Sequence, residues 1–190
     1  MTTLVVHPET DPTVTTLQTS DAAEITAELS RRGFRFEQWT TTAELGPDAD
    51  QDEVLAAYSG DVQRLWTEGY DTVDVVRLVP DHDDPTWPER AATARNTFLA
   101  EHTHSDDEVR FFVEGRGAFY LRVDGEVLIV ICEAGDLLSV PAGTTHRIDM
   151  GTEPQFAAIR FFRIPEGWVG NFTGSDIATR FETFDQLVEA

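Results

Sequence analysis

The chain has 190 residues, of which 41% are hydrophobic, and its formal net charge of −21 at pH 7 argues against binding to nucleic acid or an anionic membrane surface. This length is enough for one domain with a substantial core and is short for two. No apolar run approaches the roughly 18 residues of a membrane span, and the first residues do not resemble a secretory signal, so we expect a cytoplasmic protein.

The N-terminal half predicts strands and helices that alternate along the chain. Its apolar patterns predict three strands, over residues 3–7, 34–39 and 74–80. Two further segments predict helices, over residues 21–32 and 51–68. Asp21 suits the N-terminal cap of the first helix and Gly33 suits its end.

From about residue 97 the pattern changes to short apolar runs separated by turn residues. This pattern is typical of an antiparallel β-sandwich or barrel. The single cysteine, Cys132, ends one such run, and we interpret it as a buried small hydrophobe. Residues 175–180 and 183–188 predict short helical pieces. We therefore expect a single domain over residues 1–190, mainly β, with the N-terminal helices packed around an antiparallel barrel.

Three of the five histidines fall in the barrel segment, and the first two are two residues apart. Side chains repeat with period two along a strand, so His102 and His104 are expected on the same face. Residues 105–107 have turn composition, and a turn there would bring Glu108 back toward the two imidazoles. This segment therefore predicts three ligands for one metal ion.

The fourth candidate ligand is His146, which follows a segment with two tight-turn glycines and a strand-ending proline. Three neutral imidazoles and one carboxylate suit Fe(II), Ni(II), Co(II) or Mn(II), and octahedral coordination leaves two positions for water or a bidentate substrate. The predicted ligands of one metal ion per chain are His102, His104, Glu108 and His146. We interpret the other candidates as solvated or surface side chains: Asp106, Asp107, His7 and His82.

The spacing of these residues resembles the two motifs of the cupin superfamily. The first motif, His-x-His-x3-Glu-x6-Gly, matches residues 102–115, and the second, Gly-x5-Pro-x-Gly-x2-His, matches residues 135–146. Two outer positions depart from the pattern, with Asn96 in place of a glycine and Met150 in place of an asparagine. The resemblance implies a cupin-type antiparallel β-barrel or jelly roll, with its metal-binding core over about residues 97–163.

The segments around the motifs are similar to those of acireductone dioxygenases. The longest similar segment covers residues 98–122 and includes Glu-His-Thr-His-Ser-Asp-Asp-Glu-Val-Arg-Phe-Phe-Val-Glu-Gly-Arg-Gly. Shorter similar segments lie at residues 54–58, 69–76, 132–141, 158–162, 167–169 and 172–174. One departure bears on substrate fit: many family members have His-Trp-Phe-Asp where this chain has His146-Arg147-Ile148-Asp149.

The resemblance implies an oxidoreductase of methionine salvage that uses O2 to cleave the acireductone 1,2-dihydroxy-3-keto-5-methylthiopentene. With Fe(2+) the products in this family are formate and 2-keto-4-methylthiobutyrate. With Ni(2+) they are formate, carbon monoxide and 3-methylthiopropionate. The implied partners are the small-molecule acireductone and O2, and we expect a monomer.

Two arginines are candidates for holding the anionic substrate. Arg110 lies two residues beyond Glu108, so on a regular strand it shares the ligand face, and its guanidinium keeps its charge. Arg160, between apolar neighbours, is the second candidate, and a surface salt bridge is the alternative for each. The candidates for a methylthio pocket, for which core packing is the alternative, are Phe98, Ile148 and Trp168.

Two other classes of function stay open on the sequence alone. Another metal-dependent cupin, such as a quercetin-type dioxygenase or an isomerase, would share the ligands and take a different substrate. A non-enzymatic ligand-binding cupin, a sensor or storage-like protein, would need neither four intact ligands nor an arginine beside them. The sequence contains no DNA-binding segment, which argues against a sensor of that kind.

Overall fold

The computed structural model describes residues 1–41 and 44–189. The elements before residue 100 are β1 Thr3–Pro8, β2 Leu17–Thr19, α1 Ala22–Ser30, β3 Arg35–Gln38, α2 Gln51–Ala57, α3 Ser59–Thr67, β4 Thr72–Leu78 and α4 Trp87–Thr97. The later elements are β5 His102–Thr103, β6 Glu108–Val123, β7 Glu126–Glu133, β8 Asp136–Val140, β9 Thr145–Asp149, β10 Phe156–Phe162, β11 Asn171–Phe172, a 3-10 helix Ile177–Thr179 and α5 Phe184–Glu189. No helix among the described residues is both long and apolar enough to span a bilayer.

The N-terminal predictions are largely confirmed, with one correction. The three strands and the first helix are present, and the Asp21 side chain caps α1 by accepting a hydrogen bond from the Glu24 N–H. The second predicted helix is wrong as a single element, because it is divided into α2 and α3 at Tyr58, whose φ is −111°. The break lies beside Gly60, a poor helix former. β2 and α4 were not predicted, since neither has a clear apolar period.

The long strand β6 joins the two halves of the barrel. Its first half pairs with β8 and β10, and its second half pairs with β7 and β9, all antiparallel. Further strands extend both halves, with β3 beside β8, β4 beside β10, β1 and β2 beyond β7, and β5 and β11 beyond β9. The predicted architecture, mainly antiparallel β with flanking helices, is confirmed.

Gly115 lies where β6 passes from one set of partners to the other. Its φ is +62°, and a Cβ on this residue would lie 1.9 Å from the Gln155 carbonyl oxygen. Both the left-handed backbone and the close approach of a neighbouring strand therefore require glycine. The glycine that ends the first motif is therefore explained by the fold, since it has no side chain that could bind a metal.

The alternation of side chains along the strands separates three apolar clusters. The interior cluster includes Phe112, Leu121 and Cys132, and Cys132 is fully buried, as predicted. The outer face of the half that contains β4, β8 and β10 packs against α2 and α3. The outer face of the half that contains β1 and β7 packs against the C-terminal helical pieces. The metal-ligand candidates lie at one end of this interior, where β5, β6 and β9 meet.

Candidate metal centre

The strands bring the three predicted histidine ligands together. His102 and His146 are paired directly across β5 and β9, and His104 follows β5 by one residue. The three side chains are buried, and one ring nitrogen from each lies within 4.8 Å of the others. The ring centroids of His102 and His146 are 4.5 Å apart. This is the arrangement in which three imidazoles can hold one metal ion.

Backbone carbonyls orient all three imidazoles in the same way. A carbonyl only accepts hydrogen bonds, so each ring Nδ1 that contacts one must carry the proton, which leaves the Nε2 lone pair free. Burial lowers the pKa of His102 to about 4 and lowers the pKa of His104, so both are neutral at pH 7. The three bonds run from His102 to the Ala100 oxygen at 2.8 Å, from His104 to the Val169 oxygen at 3.0 Å and from His146 to the Thr144 oxygen at 2.8 Å.

Glu108 faces the free nitrogens of two of these rings. Its Oε2 lies 3.3 Å from His146 Nε2 and 3.7 Å from His104 Nε2. Burial alone would raise the pKa of Glu108, but the charge of Arg110 holds it well below its usual range, so it is ionised. His146 Nε2 has no hydrogen-bond partner among the described residues. Carboxylate and imidazole lone pairs thus face one another inside the protein, and a cation between them would satisfy all of them.

Arg110 is the nearest positive side chain to this group. It is 2% exposed, and its Nη2 donates a 2.6 Å hydrogen bond to Glu108 Oε1. The guanidinium carbon lies 5.1 Å from the centre of the Phe119 ring. Its Nε is buried without a hydrogen-bond partner among the described residues. Arg110 therefore shares the ligand face, as its position in the strand predicts, and has a donor free for another molecule.

Arg160 lies on the neighbouring strand, directly opposite Arg110 in the register of β10 and β6. Residues paired in this way project from the same face of the sheet. Its Nε and Nη2 donate to the two carboxylate oxygens of Asp74, at 2.8 and 2.6 Å. The Arg160 guanidinium is thus held in a two-bond ion pair on β4, whereas Arg110 contacts a ligand candidate.

The three residues predicted for a substrate pocket occupy different environments. Phe98 lies beside the site, with its ring centre 5.0 Å from that of His102. Ile148 is 2% exposed in the interior cluster, on the same face of β9 as His146. Trp168 is 46% exposed in the loop after β10. Sequence reasoning missed Phe172 as a neighbour, although its exposed ring lies 5.6 Å from that of His102.

Asp106, in the turn between His104 and Glu108, is buried, so the interpretation of this residue as solvated is wrong. Asp106 is 7% exposed, and its Oδ2 accepts hydrogen bonds from the backbone N–H groups of residues 163–164 at 2.6 and 2.9 Å. A Cβ at Gly167 would lie 2.8 Å from that oxygen. Asp106 therefore fixes the loop whose Val169 carbonyl orients His104.

Three further interpretations, for Asp107, His7 and His82, can be compared with the structure. Asp107 Oδ1 accepts a 2.9 Å hydrogen bond from the Ala142 N–H, which ties this turn to the one before β9. His7 is 6% exposed, with its Nδ1 2.9 Å from the Val14 oxygen, so its placement on the surface is wrong. His82 is exposed, as predicted.

Comparison with known proteins agrees with the resemblance to acireductone dioxygenases that the sequence motifs indicate. A family model described as the ARD/ARD' family matches residues 5–170. The chain is 61% identical over 186 residues to an acireductone dioxygenase of Parvibaculum lavamentivorans, covering 97% of this chain and 98% of that protein. It is 52% identical over 189 residues to acireductone dioxygenase 1 of Nocardia farcinica, covering 99% and 100%.

A solved structure has the same fold. The chain is similar, with a TM-score of 0.72 and 30% identity, to an acireductone dioxygenase from Bacillus anthracis that contains a cadmium ion in its active centre. The match covers 90% of this chain and 98% of that one.

Proposed function

The chain belongs to the acireductone dioxygenase family, and from that premise we propose that it cleaves an acireductone with O2 at a centre formed by His102, His104, Glu108 and His146. The observation that carries this proposal is the set of three buried imidazoles with one nitrogen from each converging within 4.8 Å, two of which face the Glu108 carboxylate. A set of nitrogen and oxygen donors of this kind suits Fe(2+) or Ni(2+), one ion per chain.

The substrate we propose is 1,2-dihydroxy-3-keto-5-methylthiopentene, as in methionine salvage. When bound, the divalent ion would supply Lewis acidity and two coordination positions for oxygen atoms. Arg110 would stabilise the oxygen that becomes negative when the enediol ionises, because its buried Nε has a free donor and its charge is permanent. Arg160, the second candidate, is paired with Asp74 and would act by holding β10 beside Arg110.

Aromatic and apolar side chains would enclose the substrate and exclude water. Phe98 and Phe172 flank the His102 ring, and Phe119 lies under the Arg110 guanidinium. We propose that Phe98, Ile148 and Trp168 form the apolar wall against the methylthio group. Exclusion of water would strengthen the electrostatic effect of Arg110 on the reacting oxygen.

The test is to remove the metal and to reload the protein separately with Fe(2+) and Ni(2+). Both forms should consume acireductone and O2. The iron form should release formate and 2-keto-4-methylthiobutyrate without carbon monoxide, and the nickel form should release formate, carbon monoxide and 3-methylthiopropionate. Analysis of the headspace gas distinguishes the two outcomes. If neither form consumes acireductone faster than buffer does, the dioxygenase proposal is wrong.

A further inference from the structure

The outer face of β9 carries a second buried cation that the metal centre does not use. Side chains alternate along the strand, so Arg147 points away from the face that carries His146 and Ile148. Arg147 is nevertheless only 4% exposed, and its guanidinium carbon lies 3.5 Å from the centre of the Tyr120 ring. Its Nη2 has no hydrogen-bond partner among the described residues. A buried arginine donor without a partner is costly and calls for an explanation.

The nearest carboxylate does not neutralise Arg147. Asp149 is fully buried, and Arg95 binds both of its oxygens, at 2.8 and 3.0 Å. The backbone N–H groups of Gly151 and Phe184 occupy the same two oxygens, each at 3.0 Å. Arg147 Nη1 stays 4.0 Å from Asp149, beyond hydrogen-bonding distance. Two arginines thus lie beside one aspartate, and Arg95 holds both of its oxygens.

Both arginines line a cavity of about 450 Å³ between α4, β9 and the C-terminal helical segment. Its wall also includes the polar side chains of Asn96 and Thr179 and the apolar side chains of Leu99 and Phe181. Among the side chains that the structure describes, no acidic one lines this cavity. That is unusual in a chain with 35 acidic residues and 14 basic ones. The cavity has the size and the mixed lining of a small-molecule site.

We propose that this cavity is a second binding site, which takes a small carboxylate with a short apolar chain. Two arginines and no acidic side chain line the cavity among the described residues, which suits a small anion, and a guanidinium donor suits a carboxylate oxygen. Leu99 and Phe181 would contact the apolar chain. This proposal does not depend on the reaction at the metal centre.

Calorimetric titration of the metal-loaded protein with butyrate tests the proposal. One butyrate should bind per chain, and butyramide, which has nearly the same shape and no charge, should not bind. Arg147→Met should weaken butyrate binding by about tenfold or more, because a hydrogen bond to a charged group is lost. Arg147→Trp, which restores the residue common in the family, should also lose the site. The exposed arginine of α4 offers a control, and Arg90→Met should bind butyrate as the wild type does.

Leu99→Trp keeps both arginines and narrows the cavity, so it should also weaken butyrate binding. This variant tests the proposal if the Arg147 variants do not fold. Equal butyrate affinity in the wild type and in Arg147→Met or Leu99→Trp would overturn the proposal. Absence of saturable binding to the wild type would also overturn it. Binding of inorganic phosphate in an Arg147-dependent manner, without binding of butyrate, would overturn the assignment to a carboxylate.

Discussion

Two buried carboxylates on either side of β9 are equally hidden from solvent and differ in how they are satisfied. Glu108, on the side of the metal centre, is 3% exposed, and Asp149, on the outer face, is 0% exposed. Asp149 accepts four hydrogen bonds, two from Arg95 and two from backbone N–H groups. Glu108 accepts one, from Arg110, and its other oxygen faces imidazole nitrogens that have no proton to donate.

We propose that this difference separates a structural carboxylate, Asp149, from a metal ligand, Glu108. Buried polar groups in folded proteins are normally hydrogen-bonded, so an oxygen that faces other acceptors is suited to a cation ligand position. An arginine partner and a lowered pKa do not make the distinction, because both carboxylates have them. What distinguishes the metal centre is the set of lone pairs left without donors. The three predictions that follow test this contrast.

The largest effect on stability should come from the satisfied carboxylate. Asp149→Ala leaves Arg95 and two backbone N–H groups without their acceptor, so the free energy of unfolding should fall by about 3 to 5 kcal/mol. Urea unfolding of the metal-free protein measures it. Asp84→Ala removes a half-buried carboxylate that binds Arg90 and the Thr86 N–H, and it should cost about 1 kcal/mol. Equal losses in the two variants would contradict the structural role of Asp149.

The next effect concerns catalysis. Arg110→Met should keep the bound metal and lower turnover of the loaded enzyme by about 10²- to 10³-fold, because one preorganised donor to the anionic oxygen is removed. Turnover and metal content are measured on the same sample. Arg116→Met changes an exposed arginine on the same strand and should have turnover near that of the wild type. Near wild-type turnover in Arg110→Met would show that Arg110 Nε does not stabilise the anionic oxygen of the substrate.

The smallest of the three effects should come from the turn between the ligands. Asp106→Ala frees the loop that carries the Val169 carbonyl, so His104 loses its orientation and metal affinity should fall by about 10- to 100-fold. Competition with a chelating dye measures that affinity. Asp81→Ala removes a similar set of backbone hydrogen bonds from an exposed turn and serves as the control. An unchanged affinity in Asp106→Ala would limit Asp106 to folding of the loop.

The sequence could predict the fold class and the clustering of the histidine ligands because both depend on local spacing. Period-two alternation placed His102 and His104 on one face, and apolar runs located most strands. The sequence could not predict Asp106 as a buried anchor, because its partners lie 57 and 58 residues away. The same holds for the Val169 carbonyl, 65 residues from His104. Turn composition is the same whether a carboxylate is solvated or binds a distant loop.

The buried arginines show a related limit. Alternation along β9 places Arg147 on the face away from the metal centre, and that would ordinarily mean solvent. The C-terminal helical pieces cover this face instead, so Arg147 is buried. Only the packing of distant segments decides whether the outer face of a strand is exposed to solvent or buried.

The central claim is that Glu108 is a metal ligand and Asp149 is not. Replacing each carboxylate by its amide tests this claim most directly. Equilibrium dialysis against Ni(2+) should give one bound ion per chain for the wild type and for Asp149→Asn, measured below its unfolding temperature. Glu108→Gln should lose most of the bound metal, as should His146→Ala, because each variant removes a ligand. If Glu108→Gln retains one ion per chain with wild-type affinity, Glu108 is not a ligand, and the contrast between the two carboxylates does not identify the metal centre.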